Sequence, residues 1–255
     1  MTLSARHFLL PVALLQLLVG YVPRAIGLGT DIGTRATENG IPPELPPGVF
    51  FAIWGVIFTA YIAFAIYGLQ KNSALTDKLS MPLVLAGLAN SAWMLVAQLI
   101  GSTAVETLIL LPLIWAAWLS AYRFDTMRGL GGSAIKWTAD LLTGLLSGWA
   151  IVALAISLPR LAREMLGLGP TDNEWYALWT VIITVQLASM VFRRKISRTI
   201  WFYVALSWGI LGIIVNNWTR TELGFLAWVA LIFGIWLIGR RLIAGASGAR
   251  RASRL

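Results

Sequence analysis

The chain has no cysteine and a single histidine, His7. Disulfide frameworks and thiolate catalysis are therefore excluded. Histidine or cysteine metal sites, bis-histidine haem ligation and a serine–histidine–aspartate set are excluded or nearly so. Charge is scarce too. Asp, Glu, Lys and Arg make up 12% of the residues, against about 25% in a soluble domain. A chain so poor in charge cannot cover a water-facing surface. What takes the place of charge is apolar: 58% of the 255 residues, with a mean hydropathy of +0.77. One or two soluble domains are ruled out, and the expected fold is an all-α, polytopic membrane helix bundle.

Eight apolar runs are long enough to be spans: Phe8 to Val22, Val49 to Leu69, Ser80 to Ile100, Ala104 to Phe124, Ala134 to Leu158, Trp175 to Phe192, Thr199 to Asn216 and Leu223 to Gly239. The first and seventh are short. The fifth is long, so it either tilts or ends at Pro159. Charge checks the count independently. With the N-terminus in the cytoplasm, the inner segments hold Arg6; Lys71 and Lys78; Arg123, Arg128 and Lys136; Arg193, Arg194, Lys195 and Arg198; and Arg240, Arg241, Arg250, Arg251 and Arg254. Those are 15 of the 20 basic residues. Eight of the 11 acids fall on the other side. A wrong span count would scramble this asymmetry, so both termini are placed in the cytoplasm. The net charge of +9 is read as positive-inside anchoring and attraction to anionic lipid, not as nucleic-acid binding. The high share of Arg, Ala and Gly hints at a GC-rich bacterial genome, hence a cytoplasmic (inner) membrane. A secretory signal at the N-terminus is disfavoured, because Tyr21-Val22-Pro23-Arg24 offers no small-residue cleavage site.

Three regions follow: a five-helix core over 1–158, three additional helices over 159–243, and a basic cytoplasmic tail over 244–255. The loops are short except Pro23 to Pro47, a Gly-, Pro- and Thr-rich segment on the outer side. Its end, Ile41-Pro42-Pro43-Glu44-Leu45-Pro46-Pro47-Gly48, is stiff because each proline fixes φ. It is either a defined lid over a site or a tolerated excursion. No loop has room for a soluble domain, and no nucleotide-binding pattern is present.

No ionisable residue lies in the middle of a span. Asp140 and Glu106 sit about one turn from span starts. This counts against ion-coupled transport, which places its coupling groups at depth, although Asp140 keeps that reading open. Gln16, Asn90, Ser91, Gln98, Ser147, Ser157, Gln186 and Ser207 are polar at depth and are read first as glue between helices. Asn90 lies three residues before Trp93, on the same helical face. An amide beside an indole can orient a planar ligand, bonding its edge and stacking on its face. Gly144-Leu-Leu-Ser-Gly148 predicts a close helix approach, within the chain or across an oligomer.

Thirteen tryptophans are present, where roughly three or four are ordinary for this length. Trp137, Trp175, Trp201, Trp218 and Trp236 lie near span ends, where an interfacial belt explains them. Trp54, Trp179 and Trp228 are about one turn in. Trp93, Trp115, Trp118, Trp149 and Trp208 are mid-span. They either fill space between helices or line a pocket for a flat, apolar ligand. Leu111, Trp115, Trp118 and Tyr122 share one face of the fourth span. Trp54, Phe58 and Tyr61 repeat the pattern on the second. Two such stripes face to face would make a stacking cleft.

Pro46-Pro47-Gly48-Val49-Phe50-Phe51-Ala52-Ile53-Trp54 resembles the start of the second helix in the tryptophan-rich sensory protein family (TspO/MBR, the translocator or peripheral benzodiazepine receptor relatives). Asn90-Ser91-Ala92-Trp93 resembles the third-helix Asn-x-x-Trp of that family. The order of a first helix, a long loop, Pro-Pro-Gly and four further helices fits as well, over about residues 1 to 158. With three more helices the chain looks like the longer branch, in which the fifth helix carries a Gly-Trp pair, here Gly148-Trp149. A helix like that of Trp208-Gly-Ile-Leu-Gly-Ile213 lies near the end of that branch. The chain departs from the pattern at Ser157, where an Asn is expected, and in lacking the Tyr- and Pro-containing run before Gly-Trp. The absent Cys and nearly absent His leave binding, not metal or covalent chemistry, so a non-enzymatic protein is expected. The family resemblance points the same way. It implies binding of a porphyrin-type tetrapyrrole, or a sterol-like ligand, in a pocket under the first loop. A sensory, regulatory or transport role goes with it.

The resemblance assigns Pro47, Trp54, Asn90, Trp93 and Trp149 to the pocket. The aromatic stripe adds Trp115 and Trp118. No cofactor is required, and the expected partners are membrane lipid and a hydrophobic small molecule. Two readings from other classes stand beside this one: a transporter of a small apolar molecule, and an assembly subunit in a homo-oligomer or larger membrane complex.

Overall fold

The computed structural model describes residues 4–71, 73–127 and 133–252. Among them are eight helices long and apolar enough to cross a membrane. They are α1 (Leu9–Ala25), α3 (Ile53–Gln70), α4 (Ala74–Leu99), α5 (Thr103–Thr126), α6 (Ser133–Leu166), α7 (Glu174–Val191), α8 (Trp201–Thr219) and α9 (Gly224–Ala252), with a four-residue α2 (Ile32–Arg35) between the first two. Each expected span falls on one of the long helices. The eight-helix membrane bundle is therefore as the apolar runs and the charge asymmetry predict. Arg128 and Arg254, counted above on the inner side, lie outside the described residues, as does the end of the basic tail. α9 itself continues to Ala252.

Local chemistry sets the helix ends. Ser73 starts α4 with a reciprocal cap, its hydroxyl accepting from Thr76 N–H while Thr76 accepts from Ser73 N–H. Ser102 caps α5. Gly101, at φ 71°, makes the tight turn between the two. α6 does not end at Pro159, one of the two alternatives above, but runs on to Leu166. A proline forfeits one backbone bond, and neighbours on several sides hold this helix in line. Its 34 residues rise about 50 Å, against a hydrocarbon core of about 30 Å. The far end of α6 thus carries Arg160, Arg163 and Glu164 out to the level of the first loop.

The helices close two rings that share α6. α1, α3, α6, α5 and α4 pack in that order, with α4 returning to α1. On the other side, α6, α7, α9 and α8 close a second ring. The shared helix is 78% buried over its apolar window, against 28% for α1 and for α9, so α6 is the centre of the molecule. The Gly144–Gly148 pair is spent here. A Cβ on Gly144 would lie 2.6 Å from Trp201 Cβ, and one on Gly148 would lie 2.8 Å from Ala205 Cβ. The motif is therefore a contact of α6 with α8 within the chain.

Candidate functional site

The long first loop docks at two places. At its start, Asp31 caps α2 by accepting from Thr34 N–H at 3.1 Å. Thr30 N–H and the Arg35 guanidinium both donate to the backbone carbonyl of Gln98, at 3.1 and 2.9 Å. The last carbonyls of a helix have no partner inside it, so the end of α4 is a ready acceptor. The buried Gln98 amide in turn donates to the carbonyls of Val19 and Met94, at 2.9 and 3.1 Å. One residue thus ties the loop and α1 to α4.

The Pro-rich end is held by the second ring. Asn216 and Asn217 of α8 are buried and donate to the carbonyls of Pro42 and Pro43, at 3.0 and 2.7 Å. Proline offers a carbonyl and no N–H, so amide donors are the matching partners. Glu44 pairs with Arg163 of α6 through two bonds, at 2.6 and 3.2 Å, with both side chains almost fully enclosed. Arg163 Nε also donates to the Asp172 carbonyl at 2.8 Å. Burial pushes the Glu44 carboxyl above the usual carboxylate range, and Arg163 draws it part of the way back. Next to this, Trp208 Nε1 donates to the Phe50 carbonyl at 2.7 Å. The loop is thus anchored at both ends.

Under the lid lies a cavity of about 160 Å³. Asp31, Ile32 and Gly33 roof it, Gly20 and Tyr21 of α1 form one wall, and Met94 and Gln98 of α4 another. Phe51, Trp54 and Phe58 line the α3 side. Behind the lining, Trp54 meets two further indoles from two other helices. Trp54 lies 6.3 Å from Trp93 of α4 and 6.5 Å from Trp149 of α6, centroid to centroid, while Phe51 meets Trp149 edge-on at 5.8 Å. Trp54 and Phe58 stack at 5.5 Å. Beside this cluster Asn90 Nδ2 donates to Gln16 Oε1 of α1 at 2.9 Å. Asn90 Oδ1 and Trp93 Nε1 are both buried with no hydrogen-bond partner among the described residues. A buried acceptor and a buried donor on one helical face are the groups that a ligand edge or a water would satisfy.

The structure therefore brings Trp54, Trp93 and Trp149 together, with Asn90 alongside. It does not bring the others in. Trp115 is 58% exposed on the outer face of α5, and Leu111 and Tyr122 are exposed with it. The α5 stripe faces lipid, because α5 turns its other side to α4 and α6, and no cleft between facing stripes forms. Trp118 packs edge-on against Phe192 and Phe202, at 5.5 and 6.5 Å, next to the second ring. Pro47 starts the turn that leads into α3 and does not line the cavity. Trp179 and Trp228 face outward.

Sequence reasoning missed Glu44, Arg163, Arg35, Asn216 and Asn217 as site-building residues, while Trp208, one of the mid-span candidates, holds the start of α3 instead of lining the cavity. A partial signal existed. Asn216-Asn217 is an adjacent amide pair at a span end, and Glu44 is an acid inside a proline run. Nothing local says that the two meet the same loop.

The TSPO-like protein family model matches residues 29–242. The match begins in the docked loop and runs into α9 as far as residue 242, well beyond the first five helices. No curated protein and no solved structure matches the chain.

Proposed function

The chain belongs to the TSPO-like family, and on that footing we propose that it binds a planar, hydrophobic ligand of the tetrapyrrole or sterol class. The site is the cavity under the first loop, which Trp54 lines, with Trp93 and Trp149 packed against Trp54. The observation that carries this reading is the meeting of three indoles from α3, α4 and α6 beneath an anchored roof. Indole faces offer stacking area at low entropic cost. Trp93 Nε1 and Asn90 Oδ1 supply unmet polar partners for a polar ligand edge. The residues fit such a group in chemistry but not yet in size. Ligand sites usually enclose about 300–1,000 Å³, so a macrocycle enters when α2 lifts from the end of α4.

The reading is binding in the service of sensing, regulation or transport, without a chemical step. The asymmetry of basic residues supports both termini lying inside, and the Arg-, Ala- and Gly-rich composition supports a cytoplasmic membrane. The test is quenching of tryptophan fluorescence as protoporphyrin is titrated into the purified protein. Saturable quenching that weakens in Trp54→Ala and Trp93→Ala is expected. Unchanged affinity in both variants would overturn the site.

A further inference from the structure

α8 and α9 leave a second cavity, a groove of about 340 Å³ on their outward face. Val204, Leu211, Ile238 and Leu242 line it and are exposed. The groove runs along α8 from Ile200 to Leu211, a rise of about 16 Å. That is the depth of one leaflet, half of a core of about 30 Å. At this depth the surrounding solvent is lipid chain.

One end of the groove is strongly basic. Arg241 lines it. Its guanidinium lies 5.6 Å over the Tyr203 ring, and Nη2 donates to the Arg198 carbonyl at 2.7 Å. Its Nε is buried and has no hydrogen-bond partner among the described residues. Arg193, Arg240 and Arg241 together line a small recess against the same Tyr203. No carboxylate lines the groove or the recess among the described residues. Three guanidiniums converge here without a counter-charge in their lining, and one holds a spare buried donor.

We propose that this groove is a binding site for one anionic phospholipid of the leaflet at the basic end of the bundle. An acyl chain lies along α8 and α9, and the headgroup phosphate sits on Arg241 with Arg193 and Arg240 beside it. Basic pockets between spanning helices select anionic headgroups, and a guanidinium matches a phosphate through parallel N–H bonds. Length, apolar walls and charge all point to the same occupant. A free phosphate would use the arginines and leave the groove unused.

Native mass spectrometry of the full chain in detergent tests this, with phosphatidylglycerol, phosphatidylcholine and inorganic phosphate as separate probes. Retention of one phosphatidylglycerol about tenfold more tightly than phosphatidylcholine is expected, with no retention of phosphate. Arg241→Gln and, at the exposed rim, Arg193→Gln should each weaken retention about fivefold. Leu211→Trp fills the groove without altering charge and should weaken it as well. Lys71→Gln, at a distant basic turn, should leave it unchanged. Equal retention of the two lipids would overturn the proposal, as would full retention in Arg193→Gln. Phosphate bound as tightly as the lipid, or indifference to Leu211→Trp, would reduce the site to an anion contact and overturn the groove.

Discussion

Glu44 and Arg163 are 119 residues apart in the chain, and their side chains form a two-bond ion pair closed off from solvent. The pair joins the Pro-rich end of the first loop to the central helix α6. Around it, Asn216, Asn217 and Trp208 fasten the same loop to α8. Of the three helices added to the five-helix ring, α8 therefore bears on the Pro-rich end of the loop, next to the start of α3.

Arg163→Met should destabilise the protein by about 3–5 kcal/mol at neutral pH, because it leaves a buried carboxylate without its counter-charge. Burial already holds the Glu44 carboxyl high, and losing Arg163 removes the main influence that lowers it. A carboxyl with a raised folded-state pKa contributes stability below its unfolded value and loses it as pH rises through the folded value. The variant should thus lose stability more steeply than the parent between about pH 5 and about pH 8. Thermal unfolding in detergent at the two pH values checks it, and a flat pH response in the variant would refute it.

Asn217→Ala removes the shorter of two donors to the buried Pro43 carbonyl and leaves it only Asn216 at 3.4 Å, at a cost of about 0.5–1.5 kcal/mol. The cost falls on the loop, not on the bundle. Limited proteolysis between residues 26 and 47 should accelerate, while cleavage elsewhere stays unchanged.

Arg35→Ala breaks the tie between α2 and the Gln98 carbonyl. A hydrogen bond from a charged group contributes about 1.5–3 kcal/mol. Weakening the closed state by that much raises the open fraction, and apparent ligand affinity rises by up to the same factor, roughly ten- to hundredfold. Protoporphyrin titration by fluorescence reads it directly. Weaker binding in Arg35→Ala would show that the roof is a wall of the site and not its gate.

The two tryptophans of α5 should separate cleanly. Trp118→Ala empties a contact with Phe192 and Phe202 and should cost about 3–5 kcal/mol. Trp115→Leu changes a lipid-facing side chain and should stay within about 0.5 kcal/mol. Neither should change protoporphyrin affinity, whereas Trp149→Ala should weaken it. Detergent unfolding curves and the same titration decide each case.

Gly148→Ala places a methyl group against the backbone of Phe202 and Cβ of Ala205. Overpacking of this kind costs about 1–3 kcal/mol. Because the contact is within the chain, the variant should unfold at lower temperature with its oligomeric state unchanged by light scattering.

The eight spans and the separation of charge were legible in the linear chain for a physical reason. Hydrocarbon selects on run length and on local charge, and both are properties of neighbours in sequence. The link between Asn90 and Trp93 on one face was legible too, since helical spacing is local. Which tryptophans meet was not. Trp54, Trp93 and Trp149 converge, and Trp115 turns outward, according to how each helix is rotated about its axis. In a membrane an apolar residue is content facing either a neighbour or lipid, so hydrophobicity alone cannot fix that rotation. It is set by contacts such as Gln16 with Asn90 and Gly148 with Phe202, between residues distant in sequence. The lid was readable as stiff from its prolines. That it is anchored by Arg163 and Asn217 was decided only by the tertiary structure, where buried carbonyls and a buried carboxylate had to find donors across the bundle.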